Sequence, residues 1–207
     1  MKLNKLIVAS LVAGLVAGSA AMPAQAGKKK KAKPVATTLF MDGTSNYGEE
    51  DQTANGVYLK LAATEGTGEK SMGIPNYTGG PNTNCAGNSL MPVFVGQLSG
   101  RVTGDMKVSF TAMSSPGQVE IRVWPDVAAQ ACNEAYIEPA ASVVVDLPSG
   151  EGAVEAVLED VDFTASSLLM IQVTPVIGGA PSYGRMFYGT ADSKVEFTCT
   201  PASGKSC

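Results

Sequence analysis

The chain has 207 residues, with 15 Lys+Arg against 19 Asp+Glu, no histidine, and 44% hydrophobic residues. That length and apolar content fit one domain with a packed core rather than a disordered chain. The lack of histidine excludes Ser-His-Asp and Cys-His catalysis, histidine-held zinc or copper, and histidine pH switching, and a charged fraction of 16% is too low for a strongly basic nucleic-acid binder.

Residues 1–26 read as a secretory signal peptide. Lys2 and Lys5 form the charged start, 6–16 the apolar stretch, and Ala24-Gln25-Ala26 a small-x-small cleavage site, with Pro23 ending the apolar helix just before it. This predicts a protein that is secreted, extracellular or at the cell surface, with no transmembrane segment after cleavage. A retained anchor is the alternative, and the short Gly- and Ala-rich apolar stretch is weak for a spanning helix. Lys28, Lys29, Lys30, Lys31 and Lys33 follow directly and run against the positive-inside bias.

Residues 27–34 read as a basic, disordered arm. All 19 acidic residues follow Lys33 but only 8 of the 15 basic ones do, so the body beyond the arm carries a formal charge of −11. Such an arm suits an anionic cell-surface polymer or lipid surface, or else is a solvated tail. The acidic body makes nucleic acid a poor partner.

From residue 35 to 207 the pattern is short alternating segments separated by turn residues. The runs are 35–41, 56–62, 91–97, 105–113, 118–124, 142–147, 153–161, 168–176, 185–188 and 194–199. In 106–112 the apolar residues fall on every second position, as do Val119, Ile121 and Val123 against Glu120 and Arg122. Ser115-Pro116-Gly117, Pro148-Ser149-Gly150 and Gly178-Gly179-Ala180-Pro181-Ser182 supply the turns. Residues 64–90 form the longest irregular stretch, rich in Gly, Pro, Asn and Thr. The fold expected is all-β, a single antiparallel sandwich of about 8–10 strands.

Four cysteines in an exported chain argue for two disulfides, and three pairings are open. The turn-rich link from Thr200 to Ser206 favours Cys199 with Cys207, which leaves Cys85 with Cys132. In the chain-entropy model these closures contribute about 2.5 and 4 kcal/mol. No C-x-x-C spacing occurs, which argues against thioredoxin-like chemistry and an all-cysteine zinc site.

Four segments carry a resemblance. They are Thr38-Leu39-Phe40-Met41-Asp42-Gly43, then 100–108 from Gly100-Arg101-Val102-Thr103 onward, then Phe163-Thr164-Ala165-Ser166-Ser167-Leu168-Leu169-Met170-Ile171, and 187–195 from Phe187-Tyr188-Gly189 onward. In order and character the chain resembles the jelly-roll modules of bacterial secreted proteins. These include carbohydrate-binding and galactose-binding-like domains and the accessory domains of secreted proteases. The resemblance implies a jelly-roll connectivity and a module that stands beside a catalytic domain.

Between Asp42 and Gly56 lies the densest set of oxygen donors, including Asp42, Asn46, Glu49, Glu50 and Asp51. Calcium takes six to eight oxygens from such flexible loops. The spacing is not that of an EF-hand, and a solvated acidic loop is the alternative. The jelly-roll resemblance implies a structural calcium near the first strand, with Asp192 approaching from the last hairpin.

Trp124 shares the parity of Glu120 and Arg122 and is expected to point away from the core. Two readings are open for it. It stacks on a sugar ring, with Tyr77, Tyr136 and Tyr183 supplied by loops, or it packs under the loop that contains Cys132. The function expected is a non-catalytic binding or surface-interaction module with glycan as ligand. Two alternatives stand beside it: a glycoside hydrolase using two of Glu120, Glu134, Glu138, Glu155, Glu159, Asp160 and Asp162, and a structural envelope protein tethered by its basic arm.

Overall fold

The computed structural model describes residues 32–43, 59–66, 68–74, 92–127, 137–176 and 178–207. The signal and most of the arm, Asn46, Glu49, Glu50, Asp51, Tyr77, Cys85, Cys132, Glu134 and Tyr136 lie outside them. The body, Ala32–Cys207, is one unit. Among the described residues it has strands and turns and no helix, so the expected all-β class holds.

The strands are β1 (Val35–Asp42), β2 (Leu59–Ala62), β3 (Lys70–Gly73), β4 (Val93–Gln97), β5 (Gly100–Ser114) and β6 (Gly117–Pro125). They continue as β7 (Ala141–Leu147), β8 (Gly150–Ala165), β9 (Leu168–Pro175), β10 (Gly184–Tyr188) and β11 (Lys194–Pro201). They form one sheet in the order β3-β10-β5-β11-β1-β2-β4-β9-β6-β7, with β8 added along β5. Every described ladder is antiparallel except β2 with β4, which departs from the wholly antiparallel sheet expected.

β5 organises the sheet. One of its edges carries β8 along its whole length; the other carries β11 from Gly100 to Ser109 and β10 from Thr111 to Ser114. A bulge interrupts the β5–β8 ladder between Gly104 and Met106. Gly104 and Asp160 turn left-handed there (φ 80° and 50°), and the Asp160 N–H donates to Asp105 Oδ1 at 3.2 Å.

The sheet buries a main apolar cluster and a smaller one around Trp124. Val102, Met106, Val108 and Phe110 of β5 pack in the same cluster as Val119, Ile121 and Val123 of β6 and Leu169, Ile171 and Val173 of β9. Phe94 and Tyr188 meet edge to face within it, ring centroids 5.7 Å apart. Each fully buried aliphatic side chain of this kind contributes about 1.5–3 kcal/mol. One large, mostly antiparallel sheet with a continuous apolar cluster is compatible with the expected sandwich, and it does not by itself show the jelly-roll connectivity the resemblance implied.

Each of the ten strand runs read from the sequence holds a strand among its described residues. The eleventh, β3, falls inside the stretch expected to be irregular. Of its four residues only Met72 is buried, so no alternation announces it; it forms by pairing with β10.

Candidate functional site

A groove lies where β2 and β4 end beside the β8–β9 turn and the C-terminal segment. Its volume is 1060 Å³. Leu39, Leu61 and Leu98 are buried apolar residues of its wall, and Lys60, Gln97, Ser99, Ser166, Ser167, Lys205 and Ser206 provide the polar groups. Among the described residues no Asp or Glu side chain and no aromatic ring lines it.

Each wall has a local cause. Gly96 brings β4 against β2: a Cβ there would stand 2.6 Å from the Leu61 Cβ, so only glycine allows the approach. The two-residue turn Ser166-Ser167 is clamped by Asp126. Its carboxylate accepts the N–H groups of Ser166 (2.7 Å), Ser167 (2.8 Å) and Leu168 (3.0 Å), and both serine hydroxyls. Asp126 itself is left-handed (φ 54°), a conformation its short polar side chain tolerates. Burial alone would raise its pKa, yet the bonds from Ser166, Leu168 and Ser167 hold the carboxyl far below the ordinary range.

The third wall is covalent. Cys199, buried in β11, is bridged to Cys207, as the spacing predicted. The returning segment is pinned further by Ala202 N–H to Ser99 O at 3.0 Å and Lys205 N–H to Ala202 O at 3.0 Å. Lys205 Nζ then reaches Ser166 O at 3.4 Å, closing the turn and tail together. Neither the Asp126 clamp nor this groove was singled out in the sequence. Asp126, one residue after β6, gave no signal beyond its own polarity.

The sequence-predicted ligand residues do not assemble here. Trp124 lies on the face of β6 opposite the main core, as its parity required, but that face is not wet. The residue is 1% exposed, packed with Val93 and Met170 and against Val95, Val127 and Ile137. Its indole N–H donates to Ile137 O at 3.0 Å. Trp124 is therefore a packing residue: of its two readings the packing one holds, and the exposed stacking platform is corrected. Tyr183 is exposed (55%), but it precedes β10 at the Ser114 end of β5, whereas the groove lies at the Gly100 end. Fifteen residues of strand separate those ends, about 45 Å.

Of the expected calcium donors, Asp42 and Asp192 are described. Asp42 Oδ1 pairs with Lys70 Nζ at 2.9 Å. Its carboxyl sits among glycines: a Cβ on Gly66 would come within 2.6 Å of Oδ1. Burial raises its pKa, but the Lys70 bond, the Gly43 N–H and the charges of Lys70 and Lys60 outweigh it and leave the carboxyl below its usual value. Asp192 is exposed in the β10–β11 turn. Among the described residues no three acidic or cysteine side chains gather in a metal-holding group.

The carboxylates proposed for hydrolysis are dispersed. Glu120 pairs with Arg122, Glu155 with Lys107 and Asp162 with Arg101, while Glu138, Glu159 and Asp160 are exposed.

No protein-family model matches the sequence, and no curated protein matches it. Solved structures match the fold. A CocE/NonD family hydrolase from Staphylococcus aureus is similar at 10% identity and TM-score 0.51, over 81% of this chain and 37% of that one. An aminopeptidase from a Thaumarchaeota archaeon of marine sediment is similar at 14% identity and TM-score 0.50, over 81% and 37%. This chain thus spans little more than a third of those enzymes, and at such identity the likeness is one of fold. A carbohydrate-binding module, CBM4, is similar over 51% of this chain and 60% of that one, at 12% identity and TM-score 0.33, too distant to bear on ligand.

Proposed function

We propose that this protein is an exported, non-catalytic binding module that holds a glycan in the groove between β2, β4, the β8–β9 turn and the C-terminal segment. The observation that carries the reading is the lining itself: hydroxyl, amide and ammonium groups beside apolar side chains, with no carboxylate among the described lining residues. The Gln97 amide and Ser206 hydroxyl exchange hydrogen bonds with sugar hydroxyls in either direction. The Ser166 and Ser167 oxygens, whose protons go to Asp126, accept them, and half-buried Val95 and Leu168 take the C–H face of a ring. The Cys199–Cys207 bridge supports an oxidising, extracytoplasmic location.

The test is a glycan array and affinity electrophoresis with the wild type and a Gln97→Ala/Ser206→Ala variant, both positions being exposed. The expected result is retention by at least one glycan class, weakened several-fold in the variant with the thermal midpoint unchanged. Retention by none, or retention that the variant leaves intact, overturns the reading.

A further inference from the structure

The structure assigns the groove an acidic ligand: we infer that the glycan it holds is a polyanion of the uronate type, gripped by Lys60 and Lys205. This rests on the binding reading above and names its substrate class. The argument begins with the charge balance. The body beyond Lys33 carries a formal −11, so a cation there has many carboxylates to choose from. Lys70, Arg101, Lys107, Arg122 and Lys194 each take one, Asp42, Asp162, Glu155, Glu120 and Glu196 respectively.

Among the described residues neither groove lysine is in an ion pair, a state they share with Arg185, which donates to Ser71 Oγ at 3.3 Å. Lys60 reaches Asp42 only through space, and that carboxylate is already bonded to Lys70. Lys205 donates to a main-chain carbonyl, that of Ser166. Both lysines are exposed and line a cavity that, among the described residues, has no acidic side chain in its wall. The Asp126 carboxylate stands behind the Ser166-Ser167 turn and is taken up by that turn's donors, so the side-chain charges that line the cavity itself are those of Lys60 and Lys205. Ammonium groups on two walls, with the Gln97 amide and the Ser206 hydroxyl beside them, match a polymer that alternates carboxylates with hydroxyls, whereas the Ser166 and Ser167 hydroxyl protons are already given to Asp126.

The bridge belongs to the same device. Lys205 lies inside the loop that Cys199–Cys207 closes, so the disulfide holds one of the two cations on the groove wall. Opening it frees the tail and removes that cation from a fixed position.

The experiment uses the mature chain with Lys28, Lys29, Lys30, Lys31 and Lys33 changed to Gln, so that the arm does not itself retain acidic polymers. Affinity electrophoresis is run against polygalacturonate, alginate, carboxyl-reduced polygalacturonate and the neutral polymers xylan and mannan. The expected result is retention by an acidic polymer that exceeds the carboxyl-reduced form about tenfold and weakens with added salt. Lys60→Gln/Lys205→Gln is expected to abolish that excess without moving the thermal midpoint, and Cys199→Ser/Cys207→Ser to weaken it part-way. Equal retention of acidic and reduced forms, or retention of neutral polymers alone, overturns the acidic assignment and leaves the binding reading standing. Acidic retention that survives loss of both lysines overturns the groove as its seat. No retention by any polymer overturns both.

Discussion

β8 and β9 are joined by only two residues, Ser166 and Ser167, yet their surroundings differ completely. Along β8, Val154, Ala156, Leu158, Val161 and Phe163 are buried while Glu151, Ala153, Glu155, Val157, Glu159, Asp162 and Thr164 are exposed. β9 has no wet face: Leu169, Ile171 and Val173 enter the main core, and Met170, Gln172 and Thr174 are as deeply buried on the reverse side. The cause is position in the sheet. β8 is paired along β5 alone, whereas β9 lies between β4 and β6 with its reverse face covered beside Trp124. Strict alternation therefore reports one wet face, and a near-continuous apolar run reports two dry ones. A polar residue inside such a run does not make that face a surface.

The sharpest way to break this contrast is Trp124→Ala. If the reverse face of β6 and β9 is a true interior, the change costs about 3–5 kcal/mol, measured by chemical denaturation. A loss below about 1 kcal/mol would make that face a surface after all. Next comes the staple at the groove end: Cys199→Ser/Cys207→Ser is expected to cost about 2.5 kcal/mol by loop closure, read as a lower denaturant midpoint.

Asp126→Ala is smaller, about 1–2 kcal/mol, because it frees the donors of the β8–β9 turn in a partly solvated place. This residue also gives a pH signature. Its folded-state pKa is depressed, so its contribution is complete above the unfolded carboxylate value near 4 and fades as the pH falls below it. Asp42, likewise depressed, behaves in the same sense. The wild type is expected to lose stability below about pH 4, and Asp126→Ala to lose less over that window; equal slopes would contradict the clamp. The smallest effect belongs to the wet face of β8, where Val157→Thr is expected to stay within about 0.5 kcal/mol.

The sequence carried the strands well wherever a segment had two or more alternating apolar residues. It missed β3 because Lys70-Ser71-Met72-Gly73 offers one apolar side chain, and its strand character comes from the β10 edge it pairs with. It placed β5 at 105–113, whereas the strand begins at Gly100; Gly100 and Gly104 flank a single Val102 and dilute the alternation. Of the site, the Cys199–Cys207 bridge was legible because the link between the two is short and turn-rich. The groove was not, since Lys60, Gln97, Ser166 and Lys205 are brought together from four separate parts of the chain.

Local pattern by itself determined the all-β class, the parity of each strand and the side of β6 on which Trp124 stands, since strand geometry sends successive side chains to opposite faces. Tertiary structure decided whether the second face is wet or covered. It likewise decided which lysines find a carboxylate and which are left to line a groove. Those outcomes depend on neighbours distant in the chain, whose arrival no short-range periodicity records.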